Sequence, residues 1–209
     1  MKTLKNAVRA ASAGLGLLCL ASMLCADETE YRAITQTSAK ITDKVGVWVR
    51  TEDRWKKGDN YYDEEKIGFD FTVGKYLALS PAVCNRRVGS SDSDIAFLTV
   101  STSKKMGNTA LVGALTEEYN LDAKTSLTEP FVKIARPVKL GDIRMAPYAY
   151  DLAFISNADG SLRENRIGVG IELPLAEKIK LAVEYAIRDM DPAVGKNSNM
   201  YTVSVNGKF

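Results

Sequence analysis

The 209-residue chain contains no histidine. This absence excludes Ser-His-Asp and Cys-His catalysis, imidazole metal sites and histidine pH switches. Two of the three cysteines lie within the first 25 residues, which leaves Cys84 alone, so no intrachain disulfide frames the fold. Phosphate-binding loops, glycine-rich dinucleotide turns and paired-cysteine zinc patterns are also missing. We therefore expect no cofactor, no metal site and no catalytic residues, and we predict that the chain is not an enzyme.

The sequence also lacks an excess of charge of one sign. It has 28 basic and 26 acidic residues, and three of the basic ones are Lys2, Lys5 and Arg9. Without these three, 25 basic residues face 26 acidic ones. Nucleic-acid binding needs a basic surface, so we expect no nucleic-acid partner.

The uncharged run near the N-terminus is too short for a membrane-spanning helix. Ala10 to Leu24 carry no charge, and this stretch falls below the ~20 residues that a spanning helix needs. A basic start, a short apolar run and a small-residue exit are typical of a secretory signal peptide. We predict a signal peptide over residues 1 to 26, cleaved after Ala26, and a linker over residues 27 to 43. A lipid-modified Cys25 and an uncleaved anchor are the alternatives.

The rest of the chain alternates between apolar and polar or small residues. In a β-strand this period of two separates an apolar face from a polar face. The clear segments are residues 45–50, 66–73, 77–84, 131–135, 146–154, 167–173, 179–188 and 201–209. Residues 95–101 and 109–119 are less regular, and we interpret both as strands. The sequence thus predicts an all-β, up-and-down antiparallel transmembrane barrel over residues 44 to 209, with about ten strands, or eight without this pair.

The residues at the C-terminal end of the sequence carry the alternation most clearly. Apolar residues take every second position, and polar residues stand between them. The apolar positions are Tyr201, Val203, Val205, Gly207 and Phe209. An outer-membrane barrel strand has lipid on one side and a polar lumen on the other, so it needs this pattern.

With these features the chain resembles small bacterial outer-membrane β-barrel proteins, the group of outer-membrane protein A-like and porin-like barrels. The resemblance rests on the leader, on Tyr201-x-Val203-x-Val205-x-Gly207-x-Phe209, and on hairpins such as the one containing Met145-Ala146-Pro147-Tyr148. It implies export to the bacterial outer membrane, with membrane lipid as a partner. It also implies that the barrel-assembly machinery reads the five residues of the terminal pattern. The oligomeric state stays open.

The predicted inward face carries charges of both signs. They are Lys66, Asp70, Arg86, Lys133, Arg144, Asp151, Glu172, Lys180, Glu184 and Arg188. Because a barrel of about this size is nearly filled by its own side chains, these charges must pair or meet water. One interpretation is a narrow or selective pore, and the other is an ion-pair network that fills the barrel. A register that pairs Leu173 with Ile179 places Glu172 opposite Lys180.

The segment from Arg54 to Asp63 is predicted to be the first outer loop, and it is dense in charges and aromatics. Trp55, Tyr61 and Tyr62 suit contact with a ligand or a host surface. The alternative is a solvated loop whose rings collect at the membrane interface.

Two functions follow from these patterns. The first is an integral outer-membrane barrel with a structural, surface-contact or passive small-pore role, in which Val169, Ile171, Val183 and Tyr185 face lipid. The second is a soluble or lipid-anchored periplasmic barrel that binds a small apolar ligand. In that case the apolar faces point inward and the charges outward.

Overall fold

A computed structural model of the chain describes residues 29 to 193 and 197 to 209. The predicted signal peptide and Cys25 lie outside this part. No helix in the described part is long and apolar enough to cross a membrane. The described residues form twelve strands: β1 (Thr29–Lys40), β2 (Val45–Lys56), β3 (Asp59–Val73), β4 (Leu77–Val88), β5 (Ser91–Met106), β6 (Thr109–Asn120), β7 (Thr125–Ala135), β8 (Val138–Leu140), β9 (Ile143–Ser156), β10 (Leu162–Ala176), β11 (Ile179–Met190) and β12 (Ser198–Lys208).

Eleven of these strands close into a barrel. Neighbouring strands pair antiparallel from β1 to β7, β9 follows β7 and also pairs with β10, and β12 returns to β1. The short β8 lies outside the ring and pairs only with the start of β9. This architecture confirms the predicted all-β, mostly antiparallel barrel, and each of the ten predicted strands is present.

Strand β1 is the element that the sequence analysis placed in a linker. Its outward positions are Tyr31, Ala33, Thr35, Thr37 and Ala39. Only one of these side chains is large and apolar, so the period of two is hard to see in the sequence. Adding β1 makes the strand number odd, and β12 and β1 therefore run parallel where the barrel closes. We call this closing pair the seam.

The two ends of the barrel are distinguished by their connections. At the end that we call lower lie the turns of residues 41–44, 74–76, 107–108 and 177–178, the β7–β9 connection with β8, and Phe209. At the upper end lie the turns of residues 57–58, 89–90, 121–124 and 157–161, together with the described part of the β11–β12 connection. Thr29 begins β1 at the upper end.

The barrel carries its apolar residues on the outside. Large apolar side chains that expose between 39% and 59% of their surface surround the wall: Val49, Ile67, Phe69, Phe71, Val83, Leu98, Leu115, Val132, Ile134, Ile167, Val169, Ile171, Val183 and Ile187. We call this set the outer belt. Along β10 the apolar outward positions run from Ile167 to Leu175, which is roughly 20 Å of height at ~3.4 Å per residue and a tilt of ~40°.

A row of aromatic rings crosses the upper part of the outer face. Tyr185, Tyr201, Tyr31 and Trp55 are successive cross-strand partners on β11, β12, β1 and β2. The Tyr185 and Tyr201 ring centroids lie 5.2 Å apart, and the Tyr201 and Tyr31 centroids lie 5.9 Å apart. The row crosses the seam, so aromatic packing on the outside reinforces the parallel pair there.

The faces of β9 are the reverse of the prediction. Tyr148 and Tyr150 are buried inside the barrel, and Asp151 lies on the outer face between Ile167 and Val132. The physical reason is the pair of tyrosine hydroxyls. Both donate hydrogen bonds to the inward-facing carboxylate of Glu184, across 3.0 and 2.6 Å.

Candidate functional site in the barrel interior

The upper half of the barrel interior is filled by a network of glutamates and arginines. One chain of ion pairs runs around the inner wall from β10 through β11 and β1 to β2. Its members are Arg166, Glu164, Arg188, Glu30, Arg54, Glu52, Arg32 and Arg50. Glu164 and Glu30 each bind Arg188, at 2.7 and 2.9 Å. We call this network, together with the residues of the next paragraph, the charge layer.

A second group of charges continues the layer on β3, β4 and β6. Arg86 lies between Glu64 and Glu118, at 2.9 and 2.6 Å. The Tyr62 ring joins the two groups, because the Arg54 guanidinium lies 4.0 Å from its centroid and that of Arg86 lies 5.8 Å away. The Tyr62 hydroxyl also donates a hydrogen bond to Glu64 across 2.9 Å.

The glutamates of the charge layer and two of its arginines, Arg54 and Arg166, are buried. Glu30 and Glu52 expose 1% and 2%, and Arg166 exposes 4%. A buried charge without a partner is very costly, whereas a paired and hydrogen-bonded one is tolerated. The five glutamates and six arginines of the charge layer therefore pair with one another, and their side chains close the upper interior.

Below the charge layer lies an aromatic layer. Tyr148 and Tyr150 pack with Ala182, Ala186 and Met200. Two glycines make room for the rings, since a Cβ at Gly168 would lie 2.3 Å from the Tyr150 ring and one at Gly170 would lie 2.5 Å from the Tyr148 ring. On the opposite wall Trp48 and Phe97 pack with Ala82, Cys84 and Ile95.

Charged groups return in the lower interior. The Glu172 carboxylate binds the Lys133 ammonium at 2.5 Å and the Lys180 ammonium at 3.4 Å. The predicted register was wrong by two residues, because Glu172 stands opposite Ala182 and the contact with Lys180 is diagonal. The cause is the β10–β11 turn, which consists of only residues 177 and 178 because β10 continues to Ala176. An irregularity between Pro174 and Ala176 adds one residue to β10 at this point.

The lower mouth opens into a cavity of about 640 Å³. It lies between the β5–β6 turn, the β8–β9 hairpin and the lower ends of β10 and β11. Its walls combine apolar and basic side chains. The basic ones are Lys105, Lys139, Arg144 and Lys180, and Glu172 is the acidic one among the lining residues.

The predicted lumen charges are distributed over all these regions. Arg86 and Arg188 belong to the charge layer, where Lys66 also binds Glu64 at 3.1 Å. Asp70 accepts hydrogen bonds from Trp48 and Ser80. The other members lie in the aromatic layer (Glu184), in the lower interior (Lys133, Glu172), at the lower cavity (Arg144, Lys180) and on the outer face (Asp151).

The predicted first outer loop is a tight hairpin. Only Lys57 and Gly58 separate β2 from β3, and both have positive φ, at 56° and 87°. This is the backbone of a two-residue turn whose twist matches the strands. Trp55 lies in β2 and Tyr61 in β3, while Tyr62 points into the charge layer, so these three residues do not form a common loop surface.

The sequence analysis missed most of the charge layer. Glu30, Glu52, Glu64, Glu118 and Glu164 were not assigned to the interior. Several of their partners lie on other strands, as with Glu30 and Arg188, which are 158 positions apart. The sequence did contain a signal for their position. Each glutamate is separated by an even number of residues from an inward-facing residue of its own strand, and such residues share a face.

Among the turns at the upper end, the β9–β10 turn has a carboxylate with a shifted pKa. The hydroxyl and the backbone N–H of Ser161 donate hydrogen bonds to Asp159 at 2.8 and 3.1 Å. These bonds stabilise the carboxylate and lower the pKa of Asp159 to about 2. This turn therefore keeps its negative charge throughout the physiological pH range.

The chain has structural likeness to known proteins but no sequence relative among the families and curated proteins compared. No family model matches the chain, and no curated protein matches its sequence. Among solved structures, the chain is similar to the outer-membrane expressed OmpT of Vibrio cholerae, at 13% identity and a TM-score of 0.34. The likeness covers 69% of this chain and 54% of that chain, so the alignment spans about half of its length. The coarser part of the predicted resemblance, the β-barrel fold, is shown by the closed ring of eleven strands.

The prediction that the chain is not an enzyme was wrong as an inference from the sequence. It rested on the absence of histidine, which excludes histidine-dependent catalysis and leaves carboxylate chemistry open. At this identity and TM-score the likeness assigns no activity to the chain.

Proposed function

We propose that the chain is an integral outer-membrane β-barrel with a structural role, whose interior is closed by the charge layer. The observation that carries this proposal is the distribution of side chains across the wall. Apolar residues such as Ile167 and Val183 point outward and are half exposed, while Glu52 and Arg166 are buried inside. A monomeric protein in water rarely exposes apolar surface all the way around.

The height of the outer belt supports the proposal that the barrel lies in a membrane. Along β10 the belt is roughly 20 Å tall, close to the ~25 Å apolar band of outer-membrane barrels. The aromatic row of Tyr185, Tyr201, Tyr31 and Trp55 lies where such barrels carry interfacial rings. The alternative of a soluble barrel around an apolar ligand needs the opposite arrangement, with an apolar interior and a polar exterior.

The charge layer favours a closed barrel over a passive pore. A water-filled channel needs polar groups that face open solvent, whereas Glu30, Glu52 and Arg166 expose less than 5% of their surface. Assembly in the membrane is part of the same proposal, with the barrel-assembly machinery recognising the outward residues of β12.

Two measurements on the folded barrel test this proposal. The first compares folding, followed by heat-modifiable gel mobility, in lipid vesicles and in detergent-free buffer. We expect a folded species only with lipid or detergent, and a stable monomer in buffer would contradict the membrane proposal.

The second measurement is conductance across a planar bilayer. We expect no ion current from the unmodified barrel and a small current from the double variant Glu30→Ala, Arg188→Ala, which removes both partners of one pair. A steady current from the unmodified barrel would contradict closure.

A further inference from the structure

The cavity at the lower mouth is lined by more positive than negative side chains. Lys105, Lys139, Arg144 and Lys180 line it, together with the single carboxylate of Glu172. That carboxylate is already bound to Lys180 and, more closely, to Lys133. In the part of the chain that the structure describes, Lys105, Lys139 and Arg144 have no carboxylate partner.

Two of these cations face each other directly. Lys139 of β8 is the cross-strand partner of Arg144 of β9. Like charges at opposed positions of an antiparallel pair destabilise it. The β8–β9 hairpin therefore places two positive charges together at a cost to its own stability, and an anion between them would remove that cost.

The same cavity also has apolar walls. Pro137, Val138, Met145 and Leu173 are among its lining residues. Its volume of about 640 Å³ falls within the ~300–1,000 Å³ of typical small-molecule sites. A site for an inorganic ion alone would be smaller and polar throughout.

From these contacts we infer that the lower mouth is a binding site for an organic anion, a carboxylate or phosphate carried on an apolar body. Lys139, Arg144 and Lys105 hold the acid group, and the apolar walls hold the body. A cleft lined by one sign of charge with low-dielectric walls concentrates ions of the opposite sign. Because the aromatic layer and the charge layer lie above the cavity, the anion is held at the mouth and does not pass through. The inference depends on the cavity and not on what surrounds the outer belt.

Fluorescence titration with 2-naphthoate tests the site on the complete barrel in nanodiscs of neutral phosphatidylcholine. The uncharged analogue 2-naphthalenemethanol and the phosphate analogue 2-naphthyl phosphate are titrated in parallel. We expect saturable binding of both anions that weakens with salt, and much weaker binding of the alcohol. Equal binding of the alcohol, or saturation by neither anion, would overturn the inference.

The variants separate the site from general surface charge. Lys139→Met and Arg144→Met keep the apolar stems and remove the charges, and together they should weaken 2-naphthoate binding roughly tenfold. Lys44→Met is the matched control, since Lys44 is exposed in a turn at the same end and does not line the cavity. An equal effect of Lys44→Met would overturn the inference. If the double variant does not fold, Lys105→Met alone serves as the test.

The acid group could come from a free solute or from a lipid headgroup, and one further arm distinguishes them. The titration is repeated in nanodiscs that contain phosphatidylglycerol. Competition by this lipid identifies an anionic headgroup as an occupant of the site, and unchanged affinity identifies a soluble anion. Both results support the site, and loss of the Lys139 and Arg144 dependence in both lipids would overturn it.

Discussion

The backbone N–H of Phe209 donates a hydrogen bond to the carbonyl oxygen of Ser38 across 2.8 Å. Lys40 in turn donates its N–H to the carbonyl of Phe209 across 3.1 Å. Phe209 therefore extends the parallel seam between β12 and β1 by one residue. Its ring packs against Gly207, where an added Cβ would lie 2.9 Å from the ring.

Deleting Phe209 should lower the folded fraction of the barrel. The deletion removes both hydrogen bonds from the seam, and each is worth about 1 kcal/mol. Gel mobility after folding into vesicles measures this loss without any cellular factor, and Phe209→Leu, which keeps the backbone bonds, is the control. If the Phe209→Leu variant inserts normally into vesicles but poorly in cells, the assembly machinery recognises the aromatic ring. Full insertion of the deletion variant in both systems would contradict both roles.

Removing one carboxylate from the charge layer should be severely destabilising. Arg32 and Arg54 bind Glu52 at 2.6 and 2.7 Å. Glu52→Gln leaves Arg32 buried without its anion and leaves Arg54 with only the longer pair to Glu30, at 3.7 Å. Breaking a buried pair in this way costs about 3–5 kcal/mol. Urea unfolding in vesicles measures the loss, with the exposed Glu65→Gln as a control that should change stability by less than about 0.5 kcal/mol. Equal stability of the two variants would show that the charge layer does not support the fold.

Because Gly168 lies against the Tyr150 ring, adding even a methyl group at position 168 should destabilise the barrel. In Gly168→Ala the new Cβ meets the Tyr150 ring at 2.3 Å, and moving the ring breaks its 2.6 Å hydrogen bond to Glu184. We expect a loss of about 1–3 kcal/mol. The same substitution in a Tyr150→Ala background should cost much less, and Gly46→Ala, whose nearest neighbour atom would lie 3.4 Å away, should be nearly neutral. If Gly168→Ala cost as much stability in the Tyr150→Ala background as in the unmodified barrel, a clash with the Tyr150 ring would not be the cause of the loss.

Glu172 should couple more strongly to Lys133 than to Lys180. The Lys133 pair is shorter, at 2.5 against 3.4 Å, and the Lys180 side chain exposes 64% of its surface whereas Lys133 exposes 22%. Exposed pairs are worth about 0.2–1 kcal/mol. Double-mutant cycles with methionine at each lysine and glutamine at Glu172 measure the two couplings. A larger coupling for Lys180 would contradict the observed geometry.

Period-two alternation predicted the wall of this barrel well because the outer face is uniformly apolar. On β10 and β11, Ile167, Val169, Val183 and Ile187 repeat without interruption and all point outward. β1 was not predicted as a strand because threonine and alanine at its outward positions weaken this alternation. The prediction assigned the faces of β9 the wrong way round because Tyr148 has both an apolar ring and a polar hydroxyl. The hydroxyl's partner, Glu184, lies on β11 and is not visible in the local sequence.

The candidate site was less predictable because its contacts join distant strands. Glu30 and Arg188 meet only because β1 and β11 both flank β12 in the closed barrel. Alternation gives the face of a residue but not its height, which depends on register. The two-residue turn between β10 and β11, together with one extra residue on β10 between Pro174 and Ala176, set a register that differs by two residues from the predicted one. Nothing in the local sequence fixes the length of this turn.

The central claim, that the outer belt faces lipid, is tested most directly by quenching of tryptophan fluorescence with brominated acyl chains. In a Trp48→Phe, Trp55→Phe background, a single tryptophan is placed at Val183 in the outer belt or, as a control, at Asp92 in the upper part of β5. The account predicts strong quenching of Val183→Trp by lipids brominated along the acyl chain and little quenching of Asp92→Trp. Val183→Trp that is unquenched in a correctly folded barrel would show that the outer belt does not contact the bilayer core and would contradict the account.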